Sequence, residues 1–180
     1  MSLPQRAFRY FLMLRHARET HMKYLALLLT LLPSIALAGE CDQWSAAMEE
    51  DEGGSVMTAR ICAGTGNAAH ELFIRCGGPD NLSIRFIPVA PTGYPPEGPE
   101  FKTDLEFAFG SDVVTRNAHY EDMDGAMVTD LDIGTPFAQM LQSRPDMKVR
   151  EVSGIVPGAT FSLNGAKAAL DKLIKSCSSP

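Results

Sequence analysis

The sequence predicts a mainly β fold, an antiparallel β-sandwich with a C-terminal amphipathic helix packed on it. Two observations favour this fold. Between residues 55 and 131 several short runs alternate apolar and polar side chains with period two, which is typical of half-buried strands. The final apolar stretch instead follows helical spacing, with one apolar stripe and lysines off the stripe.

The first 38 residues are excluded from the fold. Residues 22–38 have the layout of a secretory signal peptide, with a lysine after Met22, a short apolar run, a break at Pro33 and small residues at the end. The apolar run is shorter than the roughly 20 residues that a membrane-spanning helix needs. We therefore expect cleavage before Gly39 and no integral membrane segment in the mature chain.

These boundaries divide the chain into three parts. Residues 1–21 are interpreted as a start-site artefact or an extended basic n-region, because Met22 and Lys23 already form a complete signal start. Residues 39–180 form a single β-sandwich domain of a size that buries its own core. Export through a cleaved signal predicts a periplasmic location.

The mature chain is acidic. Removal of residues 1–38 takes five basic residues and one acidic residue away, which leaves 11 basic against 21 acidic residues. Nucleic acids and anionic membranes attract clusters of Lys and Arg, so neither is an expected partner. Solubility is the simpler explanation of the acidity, and a functional acidic face is the alternative.

All four cysteines lie in the mature part of the chain, and an even number in an exported protein predicts disulfides. Three pairings are possible. Cys76 ends the apolar face of a predicted strand and Cys177 ends the apolar stripe of the last helix, so we expect these two to pair. Cys41 and Cys62 then pair by elimination. None of the spacings is that of a redox motif or a zinc ribbon.

The elements follow in order. Residues 49–54 are predicted to form a polar turn, and residues 70–76 and 82–88 a hairpin around the loop 77–81. A short helix over 136–142 has Thr135 as its cap, and Asn164 is positioned to cap the last helix. Strands are predicted over 55–62, 70–76, 82–88, 101–109, 113–119, 126–131, 147–152 and 160–163.

The loop between residues 90 and 99 is the candidate contact region. It contains four prolines and two glycines, and Tyr94 lies among the prolines with Phe101 at its flank. Prolines hold a loop extended, so a binder orders it at low entropic cost. The alternative is a plain connector between strands.

Other motifs are weaker. Residues 122–125 have part of a calcium-loop pattern, but position twelve would be Ile133 and the glycine falls at position four, so a turn is expected instead. His70 and His119 are the only histidines of the mature chain, and no nucleophile elbow is present. We therefore expect no catalytic centre, no cofactor and no metal, with a hydrolase that lacks a sequence motif as the rival interpretation.

Part of the chain resembles a group of small exported bacterial proteins. The resemblance rests on LFIRC at residues 72–76, TPFAQML at 135–141, MKV at 147–149 and the C-terminal run 159–177. It is to the type VI secretion accessory family (TagO/VasI-like) and, more distantly, to the invasion-associated locus B family. The resemblance implies a periplasmic β-sandwich with an accessory or binding role, and it supplies no catalytic residues.

Together these patterns predict an exported, non-enzymatic envelope protein that acts as a protein-binding accessory factor. The alternative is an acidic periplasmic module that binds a metal or a small ligand through residues 121–132.

Overall fold

Nine strands form one antiparallel sheet in this protein. The computed structural model describes residues 41–51, 53–65, 68–78 and 81–177, all within one compact unit; the predicted signal peptide and the segment before it lie outside these residues. The strands are β1 Ser45–Asp51, β2 Gly54–Ala63, β3 His70–Gly78, β4 Asn81–Ile87, β5 Lys102–Phe109, β6 Asp112–Glu121, β7 Ala126–Asp132, β8 Asp146–Glu151 and β9 Ala159–Ser162.

The sheet runs in the order β1-β2-β3-β4-β7-β6-β5-β8-β9 and curls so that its two edge strands approach each other. The amide of Trp44, directly before β1, donates to the carbonyl of Asn164 at 3.0 Å. The indole Nε1 of the same residue donates to the carbonyl of Ser162 at 2.9 Å. Trp44 therefore fastens the start of β1 to the end of β9.

The core lies inside this curl. Alternate residues of β3 and β4 are buried, so Leu72 and Ile74 of β3 face inward with Ile84 and Phe86 of β4. Phe86 meets Phe161 of β9 edge-on with 6.2 Å between ring centroids, although the two strands are far apart in the sheet order. The mainly β prediction is confirmed, with a single curled sheet as its architecture.

Two helices complete the fold: α1, Pro136–Ser143, and α2, Ala166–Cys177. Helix α1 begins as predicted, because the hydroxyl of Thr135 accepts a hydrogen bond from the amide of Ala138. Helix α2 packs on the sheet through its apolar stripe of Ala169, Leu170 and Leu173. Neither helix in the described part of the chain has the length and apolar character to span a bilayer.

The structure joins Cys76 to Cys177 and Cys41 to Cys62, the two pairs expected from the sequence. The first disulfide links β3 to the end of α2 and spans 101 residues of chain. The second links the segment before β1 to β2. Two such bonds indicate an oxidising compartment outside the cytoplasm.

One predicted element is wrong. The sequence predicts a polar turn over residues 49–54, but residues 49–51 form the end of β1 and Gly54 begins β2, so the turn is shorter. The strand tolerates these acidic side chains because arginines of β2 and β3 form ion pairs with them. Glu49 pairs with Arg60 and Arg75, and Asp51 pairs with Arg75. Such cross-strand charge pairs stabilise a sheet, and a local propensity argument does not see them.

Candidate functional site

An open groove of about 860 Å³ lies where the end of the 90–99 loop meets the sheet. Its walls are the first residues of β5, the last residues of β6 and the two residues that follow β8. Antiparallel pairing brings these segments together, since Lys102 of β5 is the register partner of His119 of β6. The residues that line the groove include Pro99, Lys102, Asp104, His119, Val152 and Ser153.

The groove combines charge, hydrogen-bonding groups and an apolar rim. Lys102 and His119 are exposed cationic or ionisable side chains at its wall, while the carboxylate of Asp104 accepts a hydrogen bond from the Asn117 amide. The side chain of Val152 is 43% exposed at the same wall. Its backbone amide donates to the Asp104 carbonyl at 3.0 Å, which holds this segment against β5.

A buried carboxylate supports the groove from beneath. Glu151 closes β8 on the inward face of the sheet and is 0% exposed. One carboxylate oxygen, Oε1, accepts from the hydroxyl of Thr103 and from the amide of Ser153; the other, Oε2, accepts from the hydroxyl of Ser153 and the amide of Ile155. Thr103 and Ser153 also line the groove, so Glu151 fixes the position of two of its residues.

These bonds decide the charge of Glu151. Burial alone would raise the pKa of the carboxyl group, but the bonds from Ser153, Thr103 and Ile155 outweigh burial and hold the pKa below its usual value. Glu151 is therefore ionised at neutral pH, and its carboxylate can accept hydrogen bonds but has no proton to donate. Among the described residues no cation forms an ion pair with it, and hydrogen bonds alone compensate its charge.

The two residues of the predicted contact loop face inward. Phe101 is buried, and the half-buried ring of Tyr94 packs edge-on against Phe101 and Tyr120, at centroid distances of 5.7 Å and 6.0 Å. Burial raises the pKa of Tyr94, and the charge of Glu151 and the Tyr120 phenol raise it further. The exposed residues of the loop are 90–93, 96, 97 and 99, while Pro95 is partly buried.

Two carboxylates of the acidic segment 121–132 are engaged within the protein. Glu121 and Asp124 both pair with Arg85 of β4, at 2.6 Å in the case of Glu121. The amide of Gly125 donates to the Asp122 carbonyl, so residues 122–125 form a turn, as predicted. Within the described ranges no three His, Cys, Asp or Glu side chains are arranged to hold a metal ion.

The two histidines have different surroundings. The imidazole of His70 stacks on Phe86, its Nδ1 accepts the amide of Val89, and burial lowers its pKa. His119 lies in the groove with its Nε2 3.5 Å from a carboxylate oxygen of Glu121. The groove also holds Ser153, whose hydroxyl donates its proton to the carboxylate of Glu151 and not to an imidazole.

Sequence reasoning missed the groove and the carboxylate beneath it. A signal for Glu151 was present, because the predicted strand 147–152 alternates with period two. Met147 and Val149 mark its inward face, and Glu151 follows on the same face. A carboxylate that continues an apolar face is unusual enough to mark a site. The groove itself has no such signal, because its walls come from three separate segments.

Comparison with known proteins supports the fold alone. No family model matches the sequence and no curated protein matches it, so neither comparison supports the resemblance to type VI secretion accessory proteins. Among solved structures, the crystal structure of invasion associated protein B from Bartonella henselae matches over 75% of this chain and 92% of that chain. The TM-score is 0.52 and the sequence identity 13%. The chain therefore has a fold similar to that of invasion associated protein B.

Proposed function

We propose that this protein is an exported periplasmic accessory factor that binds another envelope protein and has no catalytic centre. The groove beside the 90–99 loop is its contact site. The observation that carries the proposal is the exposure of two apolar side chains on one segment, Val152, which lines the groove, and Ile155, three residues further on. They stay 43% and 41% exposed although the segment is held by hydrogen bonds to Glu151.

Exposed apolar side chains beside polar groups are the composition of a binding surface. Most aliphatic side chains of this domain are buried, and Val152 and Ile155 belong to the small set of large apolar residues that stay exposed. Hydrogen bonds from Ser153 and Ile155 to Glu151 fix the segment between them. A preorganised surface loses little conformational entropy when a partner binds.

The proline-rich loop extends the same surface. Pro99 at its end lines the groove, and so does Lys102, three residues later. Tyr94 supports the loop from inside by packing on Phe101 and Tyr120, so the exposed prolines and Glu97 are the groups that face a partner. Such a mixture of a rigid loop and a groove fits an extended segment of a protein better than a small molecule.

The test is co-purification of a partner from the native envelope, with Val152→Asp as the disrupting variant. We expect the captured protein to be lost, because a carboxylate would be desolvated in the contact. Val113→Asp is the matched control, since Val113 is 54% exposed and lies six residues along β6 from His119, roughly 20 Å away. Equal capture by both variants would contradict the groove as contact site.

Two further measurements address the rival functions. A rise of the melting temperature with calcium would favour the acidic binding module, since a ligand that binds only the folded state stabilises it. A turnover abolished by His119→Ala in a folded protein would favour a hydrolase. We expect neither result, because the carboxylates of Glu121 and Asp124 pair with Arg85 and because Ser153 donates to Glu151.

A further inference from the structure

We propose that β1 pairs with β1 of a second copy of this chain and so joins two sheets into one. β1 forms one end of the sheet order, and β2 is its only strand partner among the described residues. An edge strand with unpaired backbone groups is a template for another strand. Its sequence, SAAMEED, indicates which strand fits it.

The backbone groups on the free edge belong to alternate residues. The amide of Trp44 points to this edge, where it bonds to Asn164, and so does the carbonyl of Ala46, which accepts from the ammonium group of Lys172 at 2.8 Å. Because backbone groups alternate along a strand, the amides and carbonyls of Met48 and Glu50 point the same way. A second strand would meet these groups, and its amide would replace the ammonium group of Lys172 at the Ala46 carbonyl.

An antiparallel pairing centred on Met48 matches all seven residues of β1. In this register Glu50 faces Ala46 of the other copy and Asp51 faces Ser45, so each acidic half lies against a small half. Moving the centre to Glu49 or Glu50 puts like charges directly opposite each other, which destabilises a sheet. The sequence therefore selects one register of self-pairing.

Two side chains complement this register. Met48 is 54% exposed, and the two-fold axis would place it against Met48 of the other copy. Lys172 of α2 lies at the edge beside Ala46, and Ala46 faces Glu50 of the other copy. Since Ala46 and Glu50 project from the same face of the sheet, the ammonium group of Lys172 would meet that carboxylate on each side of the axis.

The dimer is tested with protein expressed from the full-length sequence and measured by sedimentation equilibrium. Because one strand pair is a small interface, we expect a concentration-dependent equilibrium between monomer and dimer. Glu50→Lys should raise the dissociation constant about tenfold, since it replaces an attraction with a repulsion. Adding Lys172→Glu should restore dimerisation. Glu97→Lys, in the loop remote in sequence from β1, is the charge control.

Met48→Pro distinguishes a loss of edge pairing from a loss of monomer stability. Proline is tolerated in an edge strand where the amide does not serve the internal ladder, so this variant should keep its melting temperature within a few degrees and lose the dimer. A monomer at every concentration would overturn the proposal. So would a dimer that Met48→Pro leaves intact, or a Glu50→Lys defect that Lys172→Glu does not rescue.

Discussion

Replacement of Glu151 by glutamine tests the buried carboxylate that supports the groove. The amide has nearly the same shape, so the substitution changes charge and hydrogen bonding with little change in volume. Oε1 can still accept from Thr103 and from the amide of Ser153. The amide nitrogen that replaces Oε2 cannot accept from Ile155, whose amide loses its acceptor.

The loss of stability in Glu151→Gln follows from the four hydrogen bonds that the Glu151 carboxylate accepts. Hydrogen bonds to a charged group contribute about 1.5–3 kcal/mol and neutral ones about 0.5–1.5 kcal/mol, and a buried donor without an acceptor costs about 1–3 kcal/mol. A neutral amide is easier to bury than a carboxylate, which offsets part of the loss. We expect Glu151→Gln to lower the free energy of unfolding by about 2–3 kcal/mol, or roughly 10 °C in melting temperature.

The dependence on pH gives an independent check. The folded pKa of Glu151 is below its unfolded value, so its contribution to stability is present above the unfolded pKa, about 4.3. The contribution is lost as the pH falls through the folded pKa. The difference between wild type and Glu151→Gln should therefore be full at pH 7 and smaller at pH 3, which is below the unfolded pKa, because the unfolded state then binds a proton more readily than the folded carboxylate does.

The assay is thermal unfolding by circular dichroism at both pH values, with Glu106→Gln as the control. Glu106 lies on the outward face of β5 and pairs with Arg150 at 2.7 Å near the surface. Loss of such a surface pair costs below about 1 kcal/mol. A Glu151→Gln protein that melts with the control at pH 7 would refute the reasoning, and so would a difference of the same size at pH 3.

Three further predictions concern stability. Loss of the Cys76–Cys177 bond should lower the free energy of unfolding by up to about 4.7 kcal/mol and loss of the Cys41–Cys62 bond by about 3 kcal/mol, because the two bonds close loops of 101 and 21 residues. Denaturant titration of the two double serine variants measures both losses, and a larger loss for the Cys41–Cys62 variant would contradict the prediction. Tyr94→Phe should raise the melting temperature by a few degrees, since no described protein group bonds its buried hydroxyl; a fall would show that the hydroxyl has a partner. Trp44→Phe should lower the free energy of unfolding by about 1 kcal/mol by removing the bond to Ser162, and unchanged calorimetry would contradict it.

Local patterns predicted most elements of this fold. The hairpin of β3 and β4 has clean alternation on both strands, and helix α1 has Thr135 as a cap and Pro136 in its first turn, so each could be placed from neighbouring residues alone. The disulfide from Cys76 to Cys177 followed from the inward faces of its two elements.

The pairing of strands that are distant in the chain could not be predicted from the sequence. β4 pairs with β7 and β5 pairs with β8, and no spacing rule specifies those partners. The sequence predicts a turn at the acidic half of β1 because Glu and Asp are poor strand formers, whereas in the fold Arg60 and Arg75 on the next strands compensate their charges. The groove depends on the same long-range pairs, so its residues could not be gathered from the sequence.

The fastening of β1 to β9 by Trp44 has a consequence for the order in which the chain can fold. Trp44 and Ser162 are 118 positions apart, so a ribosome makes nearly the whole domain before the first strand meets its closing partner. Until then the apolar inward face of the early strands is not covered by β9, where Phe161 packs on Phe86. Closure of the sheet therefore requires both ends of the domain, and contacts of such long sequence separation slow folding.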